Sequence, residues 1–455
     1  MQLFFEIVQI FFTTYMLALI MPIFLIVMFL VYLQYKRQAA TEEKLYGRVI
    51  NPVGRQILFS LGLGILGGLV ASMILVFLGL SLEQIGLYFI WPVALLLLLV
   101  NPRYLCFSYA GGIVAFMVLF ARHILVPLLP ALEENFVIDS LLMIHIPALL
   151  VLIGLLHLVE AILIFTSGHW GSSPIYLKKD DGEVVGAFSL QRFWPIPLVA
   201  LMVAVVSQPE IVGVSMPDWW PILDSVIQPG EGQTLQYMVI PVAAGLGYGD
   251  MALSSTPREK TALSAKTLAL YSVVLLFIAV GAEFFTLLIL PGVIFAPVGH
   301  ELIIMYGKKQ EENYQPRYRR KGSEIVIMSV LPGTAADQAG LQQDDIILSV
   351  NGASPEDNMD FLKKIEESYF MVLLEGTRNG ESFSKILRKQ APEEIDVKRS
   401  FKSRLNISRY NSLSLHRFAD LGFIPVPDPD SLIYLEISKP DPLARLKKLK
   451  FWGKK

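Results

Sequence analysis

Residues Glu324–Gly352 read EIVIMSVLPGTAADQAGLQQDDIILSVNG, and they contain a small fold in outline. EIVIMSV (324–330) is a β-branched, strand-forming run. Pro332-Gly333 punctuates it, and Thr334 to Ala336 starts a short helix whose alanines allow close packing. Gly340 ends that helix by supplying a positive φ. DDIILSV is a second strand, and Asn351-Gly352 makes a tight turn. Downstream, Pro355 to Tyr369 has an amphipathic pattern that points Phe361, Leu362 and Ile365 inward. Residues 371–389 read as a hairpin about Arg378-Asn379-Gly380.

The chain around this module is of another kind. Over 455 residues, 54% are hydrophobic and 17% charged, with a mean hydropathy of +0.53. The first 300 residues are sparsely charged and the remainder is rich in both signs, which separates a polytopic membrane domain (1–307) from a basic linker (308–323), the module (324–390) and a basic tail (391–455). Apolar runs fall at 11–33, 57–80, 86–100, 104–121, 140–165, 193–207, 234–249 and 267–305. A spanning helix needs about 20 apolar residues, so 86–100 and 193–207 are short. The last run is interrupted by Glu283, Pro291, Gly292 and Pro297 and reads as a hairpin or a re-entrant pair. The fold class expected is about eight or nine helical spans followed by a small α+β domain. A net charge of −2 argues against nucleic acid as the partner.

Charge orients the array. Lys36, Arg37, Lys44, Arg48 and Arg55 mark one loop as cytoplasmic. Alternation puts Arg103, the loop bearing Lys178, Lys179 and Arg192, the loop bearing Arg258, Lys260 and Lys266, and the module on the same side. Segment 208–233 holds Glu210, Asp218, Asp224 and Glu231 without a Lys or Arg, so it belongs outside, with Trp219 and Trp220 in an interfacial belt. The amino terminus lacks a basic n-region and a cleavage site and reads as retained.

The ordered submotifs of 324–352 resemble a bacterial PDZ domain, with Asp344-Asp345 where that family has Gly-Asp. The resemblance implies that a peptide adds as a strand beside the first strand, its carboxylate held by backbone N–H groups. By position the groove is then Lys321, Gly322, Ser323, Glu324, Ile325, Val326 and Ile327, with Met359 and Lys363 on the facing helix. A PDZ fold whose groove is filled and serves only packing is the alternative.

Catalytic patterns are incomplete. His300-Glu301 begins HExxH, but Ile304 stands where the second histidine is needed. The single cysteine, Cys106, lies in an apolar run, so no disulfide and no thiolate metal site is expected, and no cofactor. SGHWGSSP (167–174) reads as turn-forming. Gly247-Tyr248-Gly249-Asp250 resembles both a potassium-channel filter and the GxGD signature of intramembrane aspartyl proteases, yet Asp250 lacks a partner aspartate on its side. His157, Glu160, Asp250 and Glu283 are candidate intramembrane polar residues. A buried hydrogen bond between His157 and Glu160 is the structural alternative. In the cytoplasmic loop 171–197, IYL and EVVGAF flank an Asp181-Gly182 turn and read as a short hairpin.

The tail ends in PLARLKKLKFWGKK, with seven of the last seventeen residues basic, which suits anionic lipid. Taken in order, the spans, the loop SSPIYL…GAFSLQRFWPIPL, the PDZ-like module without HExxH and this tail resemble the MinJ-like membrane proteins of Firmicute cell division. That resemblance implies a nonenzymatic scaffold at the septum or pole of a bacterial cell membrane. It would bridge DivIVA to the MinC–MinD inhibitor. A PDZ-regulated intramembrane protease and a transporter-like protein stand as the other readings.

Overall fold

A computed structural model describes residues 2–207, 216–217, 219–223, 229–389, 409–431 and 434–435. Among them, seven helices are long and apolar enough to cross a membrane: Pro22–Tyr46, Val53–Leu78, Leu82–Val100, Phe107–Leu128, Ile146–Ser167, Pro257–Phe284 and Thr286–Asn313. We label the main helices α1 (Gln2–Ile20), α2 (Pro22–Tyr46), α3 (Val53–Leu78), α4 (Leu87–Val100), α5 (Phe107–Phe120), α6 (Ile146–Ser167), α7 (Pro257–Phe284) and α8 (Ile289–Asn313). The apolar run 11–33 is not one span. It breaks at Met21, and Pro22 opens α2 at the position where a missing N–H costs nothing. The run 267–305 does fold back on itself: Lys260 Nζ donates to Gly307 O at 3.0 Å at one end, while Phe285–Leu288 turn the chain at the other. α6 forms the buried axis, with most of its side chains out of solvent.

The runs 193–207 and 234–249, expected as helical spans, are strands. β1 (Ser173–Lys178), β2 (Val184–Val206) and β3 (Thr234–Ala252) form an antiparallel sheet in that order. β2 and β3 pair without a break from Phe188↔Ala252 to Val206↔Thr234. The cause lies in the sequence. Pro195, Pro197 and Pro241 each lack the N–H a helix interior requires, and Gly245, Gly247 and Gly249 weaken it further. A strand inside an apolar bundle must still satisfy its free edge. Here Phe193 N donates to Tyr35 Oη at 3.1 Å, Val199 N to Ser72 Oγ at 2.8 Å and Val203 N to Glu83 Oε2 at 3.2 Å. Between them Pro195 and Pro197 have no donor to satisfy. Gly64 and Gly68 of α3 let the Pro195 and Pro197 carbonyls approach where a Cβ would collide.

The two ends of the bundle are closed by different contacts. At one end Glu42 accepts from Ile50 N, Asn51 N and Asn51 Nδ2 at 2.7–2.9 Å, and Lys260 pairs with Asp250 at 3.2 Å. At the other, Leu223 N donates to Leu78 O and Trp220 Nε1 to Val76 O, both at 3.1 Å.

The carboxy-terminal unit is a five-stranded sheet in the order β7-β6-β5-β4-β8, with β4 Ile325–Val330, β5 Ile346–Val350, β6 Met371–Arg378, β7 Glu381–Arg388 and β8 Phe423–Pro425. α9 (Asn358–Glu367) and α10 (Arg409–Leu421) complete it. The turn at Asp344 has φ 69°, the conformation that glycine normally supplies. Asp345 is fully buried and held by Arg378 at 2.6 and 2.7 Å. Asn379 and Gly380 at φ 54° and 87° make the β6–β7 turn. Sequence alone ended this unit at 390, but α10 and β8 belong to its core: Phe361, Phe418 and Phe423 pack with ring centroids 5.6–6.1 Å apart.

Candidate peptide groove and polar clusters

β4 is the strand a PDZ ligand would join, and β8 already lies along it. Val426 N donates to Val326 O at 2.8 Å and Leu331 N to Gly422 O at 2.7 Å, in antiparallel register with Ile327↔Pro425 and Val330↔Phe423. Pro425 and Pro427 leave Val426 as the donor facing β4. The residue that turns α10 into this segment is Gly422, at φ 99°, where a Cβ would strike Thr334. Phe423 drops fully buried between β4 and α9. The segment runs towards the loop 320–324, the direction a bound peptide takes. There Asp428 makes an ion pair with Arg320, while Arg320 Nε donates to Gly322 O at 2.7 Å. Burial, reinforced by Asp357, raises the Asp428 carboxyl above its ordinary range; Arg320 and the Asn358 amide offset part of this. The segment thus supplies strand, aromatic anchor and carboxylate from within the same chain.

The predicted groove residues divide accordingly. Lys321, Gly322, Ser323 and Glu324 form the loop beside Asp428. Ile325 and Ile327 are buried beneath the strand, and Val326 carries the carbonyl that receives Val426. Met359 and Lys363, expected to face the groove, are on the exposed side of α9 instead, and Lys363 is directed to Glu367. The helix residue on the segment is Asn358, whose Nδ2 donates to Val426 O at 2.8 Å. The assignment was rotated by part of a turn. Nothing local marks Arg320 and Asn358, because their partners Asp428 and Val426 lie 108 and 68 residues downstream.

The segment's outer side is also held. Tyr176 Oη donates to Pro425 O at 2.7 Å, Val184 N to Pro429 O at 2.9 Å and Leu435 N to Tyr176 O at 2.8 Å. Residues 422–431 and Leu435 are thereby clamped between the module and the sheet β1–β2. The expected hairpin at 173–189 is this docking base. Arg319 reaches Glu183 at 2.7 Å and Gly186 N donates to Tyr318 O at 2.8 Å.

The four candidate intramembrane polar residues do not form one site. Asp250 lies in β3, pairs with Lys260 and accepts from Ser264 Oγ at 3.1 Å, so a lysine stands where an aspartyl protease needs a second carboxylate. Gly247 and Gly249 sit opposite Phe193 and Gln191 in the strand ladder, not in a carbonyl filter. Glu283 meets His145 at 3.4 Å. His157 is not bonded to Glu160: its Nδ1 lies 2.7 Å from Ile153 O, and its Nε2 is 3.1 Å from Cys106 Sγ. Cys106, expected to lie alone, therefore has company. The basic tail 442–455 lies outside the described residues.

Comparison with known proteins places these features. A family model described as PDZ domain matches residues 326–364. The chain is 23% identical over 230 residues to the cell division topological determinant MinJ of Bacillus subtilis (strain 168), covering 50% of this chain and 54% of that protein. It thus spans about half the length of the curated relative it matches. No solved structure matches it. The chain thus combines helices long and apolar enough to cross a membrane with a PDZ-domain match at residues 326–364, and over half its length it is similar to MinJ.

Proposed function

We propose that the chain is a nonenzymatic membrane scaffold for placing the division site, whose PDZ groove takes up an extended segment of a cytoplasmic division protein in competition with residues 422–428. The observation that carries this is the edge of β4, lined by a chain segment with the polarity of a ligand and ending at the 320–324 loop. β-Strand addition derives affinity from main-chain hydrogen bonds and specificity from alternate side-chain pockets, and both are present here. The basic loops support a cytoplasmic module and tail, and the basic composition of the tail supports contact with anionic lipid. DivIVA and a MinD-type protein are the partners that the MinJ-like character suggests.

The test is crosslinking capture from native membranes of the source bacterium with the full chain, the Phe423→Ala variant and a deletion of 324–389. Capture of a division protein that rises with Phe423→Ala and vanishes with the deletion supports the proposal. Recovery of no division protein with any of the three overturns it.

A further inference from the structure

Cys106, His157 and His300 come from the N-cap of α5, the middle of α6 and the middle of α8, and their side chains converge. Cys106 Sγ lies 3.1 Å from His157 Nε2 and 4.0 Å from His300 Nε2. All three donor atoms lie within 4.8 Å of one another. In a tetrahedral zinc site, bonds of about 2.3 Å to sulfur and about 2.0–2.1 Å to nitrogen put S and N about 3.5 Å apart. The two observed sulfur–nitrogen distances straddle that value, each within about half an ångström of it.

The histidines are prepared for such a role. A carbonyl oxygen only accepts, so His157 Nδ1 carries the proton it gives to Ile153 O, and Nε2 presents its lone pair to the cluster. Ligating histidines are oriented in this way. A thiol donates one S–H and its sulfur accepts only weakly, so at 4.0 Å His300 Nε2 makes at most a marginal hydrogen bond to the sulfur that already faces His157. His300 Nδ1 is itself buried without a hydrogen-bond partner among the described residues. Tyr271 packs edge-on against both rings at 5.6 Å. Arg103 and Glu301 pair beside the cluster, and Tyr109 donates to Glu301 at 2.6 Å. The second imidazole that Ile304 fails to provide comes from α6.

The geometry points to a Zn²⁺-type site formed by Cys106, His157 and His300 that ties α5, α6 and α8 together. A mixed sulfur–imidazole set selects zinc over hard cations.

The experiment uses the full chain in lipid nanodiscs, equilibrated with Zn²⁺ and dialysed, with elemental analysis, and with Co²⁺ substitution read by absorption. The expected result is about one zinc per chain and a thiolate-to-cobalt charge-transfer band. Cys106→Ser and His157→Gln lose the band and at least about tenfold in affinity, while Glu301→Gln, outside the triad, keeps both. Zinc raises the Tm of the wild type and not that of Cys106→Ser, although the two unfold alike in chelator. Where His157→Gln does not fold, the isosteric Cys106→Ser carries the comparison. A wild type that holds no more zinc than Cys106→Ser, or shows no charge-transfer band, overturns the proposal.

Discussion

Replacing Phe423 with alanine is the sharpest probe of whether the groove can open. The ring is fully buried, with Phe361 at 5.9 Å and Phe418 at 5.6 Å. Truncating a buried Phe to Ala costs about 3–5 kcal/mol. If docking of 422–428 is a local equilibrium, that cost falls on the docked state, and at about 1.4 kcal/mol per decade the open population rises at least about 100-fold. Amide hydrogen exchange on the full chain in nanodiscs reads this directly. Leu331 N, bonded to Gly422 O, and Val426 N, bonded to Val326 O, report the docked segment. Ile327 N, bonded to Asp345 O, and the β6–β7 ladder report the rest of the domain. Leu331 and Val426 should speed up at least about 100-fold, while Ile327 changes by less than about threefold. Equal acceleration of all these amides would refute the reasoning, since β8 would then be an inseparable part of the fold.

Four further outcomes follow from the same geometry. Arg320→Ala leaves the Asp428 carboxylate half-buried and unpaired and should speed Val426 exchange about tenfold or more, whereas Asp428→Asn should leave it unchanged or slower, because burial already disfavours the charge. The Asp428 carboxyl is raised above 3.8 when docked, so docking is strongest below 3.8, weakens as pH climbs to the raised value and is constant beyond it; Val426 exchange, corrected for its intrinsic rate, tracks this, and Asp428→Asn abolishes it. Tyr35→Phe and Ser72→Ala each strand a β2 amide and should cost about 1–3 kcal/mol in thermal or detergent unfolding; a helical 193–207 would make both neutral. Glu311→Ala removes the acceptor of Leu253 N, Ser254 N, Ser254 Oγ and Ser255 Oγ and should destabilise by roughly 3 kcal/mol in the same assay.

The module was legible because its signals are local. Pro-Gly, AGL and Asn-Gly each dictate a backbone conformation within a few residues, and the structure repeats them at Gly333, Gly340 and Asn351-Gly352. The hairpin through the bundle was missed because hydropathy alone cannot separate a short buried helix from a strand. Pro195, Pro197 and Pro241 carried the signal, and a run of apolar residues with proline at alternate positions is readable as an edge strand. The groove's occupant was out of reach for another reason. Phe423 to Asp428 are extended and proline-punctuated, yet nothing local says which strand they will join. The same holds for Cys106, His157 and His300, which three helices bring together from across nearly two hundred residues.

β2 has one more consequence. It is paired throughout, first with β1 and then with β3, from Val184 beside the PDZ base to Val206. At about 3.3 Å per residue its 23 residues extend roughly 75 Å, against a hydrocarbon core of about 30 Å. Neighbouring helices can slide along one another, but a hydrogen-bonded ribbon stretches and shears only by breaking its ladder. The two ends of the hairpin therefore behave as the ends of one lever. A tilt imposed on the Trp220 end is delivered to Tyr176 and Val184, the residues that grip the segment in the groove.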